Sequence, residues 1–243
     1  MDYFSQHGYS LRFEWGLSGI DYLAAAAECV VIVDVMSFST CVSVATGRGA
    51  TVYPYRWRDD TAFEYGKQLR AVVADPHRRL SDGYSLSPSS LLTIPAGTRL
   101  VLPSPNGSSA AWLARDSGAT VLSGCLRNRQ ATAEACRGFA SVLVVACGER
   151  WPDGSLRPSL EDQLAAGGII AALPQLRPSP EAQAAALLYR GFGPTRQQAL
   201  AQCSSAIELR ERGFGADVAL CIEEDVSSNA CWLDGDRFVA RSG

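Results

Sequence analysis

Apolar, β-branched runs of strand length alternate along this chain with Ala- and Leu-rich amphipathic stretches, and that rhythm limits the fold more than any other feature. The strand-like runs are 29–35, 50–55, 99–103, 119–123, 141–147, 216–222 and 236–241. Helix-like stretches lie at 39–47, 59–72, 107–117, 128–139, 160–173, 180–190 and 194–213. Strands separated by helices of this length build βαβ units, and runs as apolar as Cys29 to Val33 need cover on both faces. The pattern predicts an α/β protein of three layers, α/β/α, around a mostly parallel, mixed sheet. One domain over 1–243 is expected, with the Pro-rich stretch 174–180 as the place for a subdomain boundary. Two segments break the rhythm. Residues 74–98, rich in Ser, Pro and Gly, read as a long loop of the kind that forms lids, and 148–159 reads as a second loop.

Each of the best strand-like runs ends in a short polar motif. Cys29 to Val33 leads into Asp34-Val35-Met36-Ser37-Phe38-Ser39-Thr40, and Arg99 to Leu102 into Pro103-Ser104-Pro105-Asn106-Gly107-Ser108. Thr120 to Leu122 leads into Ser123-Gly124-Cys125-Leu126-Arg127-Asn128, and Ser141 to Ala146 into Cys147-Gly148-Glu149, with Glu161-Asp162 further on. In open α/β sheets, ligands bind at the carboxyl ends of the strands. Hydroxyl and amide groups placed there suit an oxyanion, and carboxylates suit a hard metal ion.

Several chemistries are excluded. The two histidines, His7 and His77, lie away from every strand end, which removes a Ser-His-Asp triad and a histidine-ligated metal. A P-loop, a dinucleotide fingerprint and a Gly-x-Ser-x-Gly elbow are missing. No two of the eight cysteines have C-x-x-C spacing, so they read as small buried hydrophobes. A net charge of −3 and the absence of a membrane-length apolar run argue against nucleic-acid and membrane partners. The N-terminus lacks a basic-then-apolar leader pattern, which leaves a cytoplasmic location as the default.

What remains is a set of carboxylates without histidine: Asp34, Glu149, Glu161, Asp162 and Asp225. All-oxygen ligation is the preference of Mg²⁺, which takes one or two carboxylates and keeps waters for a substrate phosphate. Asp34, at the buried end of a central strand, is the leading candidate, because an unpaired charge there is costly. Its structural alternative is a cap on the following helix. Ser39 and Thr40 would open that helix, where free N–H groups favour an anion. Asn106-Gly107-Ser108 repeats the arrangement.

These motifs, in this order and spacing from about Val30 to Asp225, resemble the 2-phosphosulfolactate phosphatase (ComB-like) family. Ser205 to Cys221 is similar to that family's closing segment. The resemblance implies a three-layer fold and Mg²⁺-dependent hydrolysis of a phosphate ester to the alcohol and phosphate. Its matched positions are Asp34, Ser39, Thr40, Asn106, Gly107, Asn128, Gly148, Glu161 and Asp162. Ser37 and Ser109 stand where the family usually carries arginine, and Phe38 where it carries alanine. Arg56, Arg58, Arg127, Arg150 and Arg157 are the candidates to supply the missing guanidinium groups.

The expectation is therefore a phosphoric monoester hydrolase acting on a small acidic phosphoester. Asp34, Glu149 and Asn128 are the catalytic candidates. Ser39, Thr40, Asn106, Gly107 and Ser108 would bind phosphate, and Asp34, Glu161 and Asp162 would bind Mg²⁺. Two alternatives stay open, an inactive anion-binding or regulatory protein and another metal-dependent enzyme on the same fold. A homodimer is one open arrangement.

Overall fold

A computed structural model describes residues 3–57, 59–75 and 83–242. In chain order the elements are β1 (Leu11–Trp15), α1 (Gly16–Leu23), β2 (Cys29–Val33), α2 (Phe38–Gly47), β3 (Thr51–Tyr55), α3 (Thr61–Leu69), β4 (Val72–Val73), β5 (Arg99–Pro103) and α4 (Gly107–Asp116). There follow β6 (Thr120–Gly124), α5 (Arg129–Cys136), β7 (Val142–Ala146), β8 (Glu149–Arg150), β9 (Leu156–Arg157), α6 (Leu160–Ala171) and α7 (Pro180–Phe192). The chain closes with α8 (Arg196–Ala201), α9 (Ser204–Glu211), α10 (Gly215–Cys221), β10 (Asn229–Asp234) and β11 (Arg237–Ser242).

The main sheet runs β1-β7-β2-β6-β10-β11-β3-β5-β4. β1, β7, β2 and β6 are mutually parallel, as are β3, β5 and β4. The β10–β11 hairpin lies between these two blocks and is antiparallel to each neighbour. Strand periodicity places the helices in two layers. Val31 and Val33 of β2 face a core shared with Leu164, Ile169, Ala185 and Leu209. Val30 and Ile32 face the opposite core with Phe38, Val42, Ala110 and Ala111. All five β2 residues are buried, which is why that strand reads as a continuous apolar run.

Several expectations are corrected. Residues 216–222, expected as a strand, are helical: α10 buries Asp217, Val218 and Cys221, the i, i+1, i+4 spacing of one helix face. The helix expected at 194–213 breaks into α8 and α9 after a 3-10 turn at Gly193–Thr195. The loop at 148–159 holds the paired strands β8 and β9. The helix expected over 59–72 ends at Leu69, with Arg70 left-handed. The N-terminal tail instead supplies an edge strand, β1, and a helix, α1. β10 is an additional strand.

The long loop is packed where it is described. Leu91 and Ile94 are fully buried. Buried Asp217 accepts hydrogen bonds from Ser87 Oγ at 2.7 Å, Ser89 Oγ at 2.6 Å and Ser89 N–H at 3.0 Å, tying this segment to α10. His77 and Arg58 lie outside the described residues. All eight cysteines are buried as thiols. Among the described residues no helix is long and apolar enough to cross a membrane.

Candidate active site

The chain leaves β2 with a run of hydrogen bonds that fix Asp34. Its carboxylate accepts the N–H of Phe38 at 3.3 Å through Oδ1 and that of Gly107 at 3.0 Å through Oδ2. Asp34 thereby joins the starts of α2 and α4. Gly107 permits this approach because it lacks a side chain: a Cβ there would lie 2.2 Å from the Phe38 ring.

Asp162, in the first turn of α6, performs a matching role one strand over. Oδ1 accepts Val35 N–H at 2.7 Å and Oδ2 accepts Gly148 N–H at 2.9 Å. It therefore ties the ends of β2 and β7 together. Gly148 adopts a φ of +66° under the β8–β9 hairpin, where a Cβ would come 2.9 Å from the Arg157 carbonyl oxygen. Burial, then the charges of Glu161 and Asp34, raises the Asp162 pKa well above the ordinary carboxylate range. Burial, then Glu161 and Glu208, also raises that of Glu149, against the opposing pull of Arg157.

Above this floor a chamber of about 290 Å³ is lined by Asp34, Ser37, Asn106, Glu149, Arg150 and, from α9 and its C-cap, Ser205, Glu208, Leu209 and Arg212. Asn106 Nδ2 donates to Glu149 Oε2 at 3.4 Å and to the Gly148 carbonyl at 3.3 Å. A second chamber of about 280 Å³ shares the Asn106, Glu149 and Arg150 wall and reaches Trp15, Leu17, Cys147 and Leu156. The Cys147 thiol is no nucleophile there. Burial first, then Asp34, Asp162 and Glu149, raises its pKa and keeps it neutral.

The structure brings Asp34, Asn106 and Glu149 together on one chamber and places other expected residues elsewhere. Ser39 Oγ donates to the Ile32 carbonyl at 3.2 Å and accepts Asp34 N–H at 3.0 Å. Thr40 and Ser108 donate to the Val35 and Leu102 carbonyls at 2.7 and 3.1 Å. These hydroxyls shape turns, and the Gly107 N–H expected for phosphate is taken by Asp34. Asn128 is fully buried. Its Oδ1 accepts Cys125 N–H at 2.9 Å and its Nδ2 donates to the Ser123 carbonyl at 3.2 Å, so it closes the β6–α5 turn. Glu161 is buried and accepts from the Cys203 thiol at 3.4 Å.

The carboxylates expected to hold a metal each have partners within the protein. Among the described residues no group of three or more His, Cys, Asp or Glu side chains lies at metal-holding spacing. Asp162 accepts two backbone N–H groups, as Asp34 does, and Glu161 accepts from the Cys203 thiol. Asp225 pairs with Arg129 and caps Gln130 N–H at 2.8 Å, away from the chamber. Among the candidate arginines, Arg150 lines the chamber. Arg157 donates to Ser205 at 3.0 Å, Arg127 pairs with Glu223, and Arg56 pairs with Asp116 at 3.4 Å. The α9 contributors were missed, although Ser205, Glu208, Leu209 and Arg212 fall at i, i+3, i+4 and i+7, one helical face.

Carboxylates and helix starts gathered on one cleft beyond the strand ends mark an α/β protein with a ligand site at the carboxyl ends of its strands. The model of the 2-phosphosulpholactate phosphatase family matches residues 21–235. A probable 2-phosphosulfolactate phosphatase of Thermotoga maritima is 26% identical over 220 residues, covering 88% of this chain and 93% of that protein. A protein of the same description from Thermotoga petrophila is 25% identical over 220 residues, with the same coverage. The chain belongs to the 2-phosphosulpholactate phosphatase family, and it is a phosphatase, a phosphoric monoester hydrolase.

Proposed function

We propose that this protein hydrolyses a small acidic phosphoester of the 2-phosphosulfolactate type, with Mg²⁺, releasing the alcohol and inorganic phosphate. The observation that carries this reading is the chamber in which Asp34 and Glu149 face one space together with Asn106, Arg150 and Arg212. Carboxylate and amide oxygens face this space, and burial with neighbouring carboxylates raises the Glu149 pKa. That combination fits a divalent ion held by one or two carboxylates and waters, here through Asp34. When bound, Mg²⁺ would offset the charge on the phosphoryl oxygens.

The chain's own residues supply the rest. Asp34 is immobilised by two N–H groups, so it presents a fixed charge. Asn106 holds Glu149 toward the chamber. The raised Glu149 pKa lies closer to neutral pH than that of an ordinary carboxylate, which strengthens this group as a general base. Glu149 takes a proton from the attacking water, the new bond forms to phosphorus, and the ester oxygen leaves and is protonated to the alcohol.

Phosphate release from a panel of phosphoesters tests the reading. Activity should vanish after exhaustive EDTA dialysis and return with Mg²⁺, and Zn²⁺ should not outperform it, since among the described residues no Cys/His cluster exists to hold zinc. Full activity in the chelated protein sinks the metal, and no phosphate release from any ester sinks the reaction.

A further inference from the structure

Arg212 is the feature of the chamber that the proposed chemistry does not use. It lies at the C-cap of α9, on the wall contributed by Ser205, Glu208 and Leu209. Its Nη1 pairs with Glu208 Oε1 at 2.9 Å, and its guanidinium carbon lies 5.8 Å from the Phe214 ring centroid. A guanidinium carries five N–H donors in a planar fork. The Glu208 bond occupies one nitrogen, and the side chain stays 53% exposed, so donors remain for a ligand. Arg150, on the shared wall, has Nη1 engaged with the Gly154 carbonyl at 2.9 Å. The chamber thus has a carboxylate floor at Asp34 and a guanidinium wall from other elements. Its volume of about 290 Å³ equals roughly ten water volumes, so a small ester can touch both.

We propose that Arg212, flanked by Arg150, is the specificity-determining residue of this site and selects phosphoesters that carry a second anionic group, a sulfonate or carboxylate. This inference rests on the phosphatase reading for the reaction, but the recognition itself is a binding property that can be measured separately. A fork of N–H donors matches the paired oxygens of either group. Glu208 holds the fork in place and keeps the empty wall from carrying an uncompensated positive charge. Lysine at the same position would keep the charge and lose the planar geometry.

The test compares wild type, Arg212→Ala and Arg212→Lys on two substrates: 2-phosphosulfolactate, and a phosphoester of similar size with a neutral arm. Binding of sulfolactate, which has no phosphate, is measured in parallel by calorimetry. Arg212→Ala should lower kcat/KM for the sulfonate ester roughly 10- to 100-fold, chiefly through KM. It should lower kcat/KM for the neutral ester far less, leave the melting temperature unchanged and weaken sulfolactate binding by a factor similar to the loss on the sulfonate ester. Arg212→Lys should fall between. Equal losses on both esters, or no loss on either, overturn the proposal, as does sulfolactate binding that is absent in wild type or indifferent to Arg212. If wild type turns over neither ester but binds sulfolactate in an Arg212-dependent way, the phosphatase reading falls and the recognition stands.

Discussion

On the floor of the cleft, Asp34 and Asp162 commit all four carboxylate oxygens to backbone N–H groups from three separate connections. On the α9 wall, Glu208 and Arg212 are both exposed and joined to each other by a side-chain ion pair. An exposed pair of this kind contributes little to stability, about 0–1 kcal/mol. A buried carboxylate that loses its partners is far more costly. The floor therefore cannot change without disturbing the fold, whereas the wall can change freely. The proposed roles follow this division, with reaction chemistry assigned to the first surface and substrate choice to the second.

The largest expected effect is at the floor. Asp34→Asn removes the charge and leaves one of the Phe38 and Gly107 N–H groups facing an amide nitrogen. Activity should fall roughly a hundred- to a thousandfold. Stability should drop by about 1–3 kcal/mol, partly offset by relief of repulsion with Asp162. Kinetics and thermal melts on one preparation separate the two effects. A variant whose activity loss merely tracks its stability loss would reduce Asp34 to a turn-holding residue and erase the contrast with α9.

Next comes Gly107→Ala. The added methyl group would meet the Phe38 ring, which has no room to retreat because Phe38 packs edge-on against Phe238, centroids 5.9 Å apart. Overpacking of this kind costs about 1–3 kcal/mol, and shifting the start of α4 pulls its N–H from Asp34. The same substitution in a Phe38→Leu background should cost less, with a coupling of about 0.5–3 kcal/mol in a double-mutant cycle. Strict additivity would show that α4 is not seated on that ring.

The smallest effect joins floor and wall through charge. Glu208 helps raise the Glu149 pKa, so Glu208→Gln should move the acid limb of the kcat/KM profile to lower pH. Sign follows from linkage: a carboxylate whose folded pKa is raised binds protons more tightly in the folded state. In metal-free protein, Glu149 and Asp162 therefore lower stability as pH rises from the unfolded carboxylate range, about 4, through their raised values. Melts across that window should show the decline, and Mg²⁺ should lessen it. An acid limb unmoved in Glu208→Gln would uncouple wall from floor.

Much of the floor was legible in sequence, because a carboxylate directly after Cys29–Val33 can only stand at a strand end. The layers were legible for the same reason: continuous apolar strands demand helices on both sides. What escaped was set by distant contacts. Ser39, Thr40 and Ser108 have the residue types of an anion cradle, yet their hydroxyls close their own turns. Asn128 likewise spends its amide on the β6–α5 connection. α10 reads as a strand because Val218 to Ile222 is apolar, and only the Ser87–Asp217 contact, 130 residues apart in sequence, shows why a charge belongs inside it. β1 gives no signal strong enough to outweigh its terminal position, since its pairing partner is β7, far along the chain.

The place of the β10–β11 hairpin has a consequence for how the protein is made. These last strands sit at the centre of the sheet, between β6 and β3. A chain emerging from the ribosome thus exposes two unpaired inner edges, one on each parallel block, until residues 229–242 are released. Open strand edges invite pairing with other chains. Native closure awaits the emergence of these two strands, and the nascent chain is open to aggregation until they arrive.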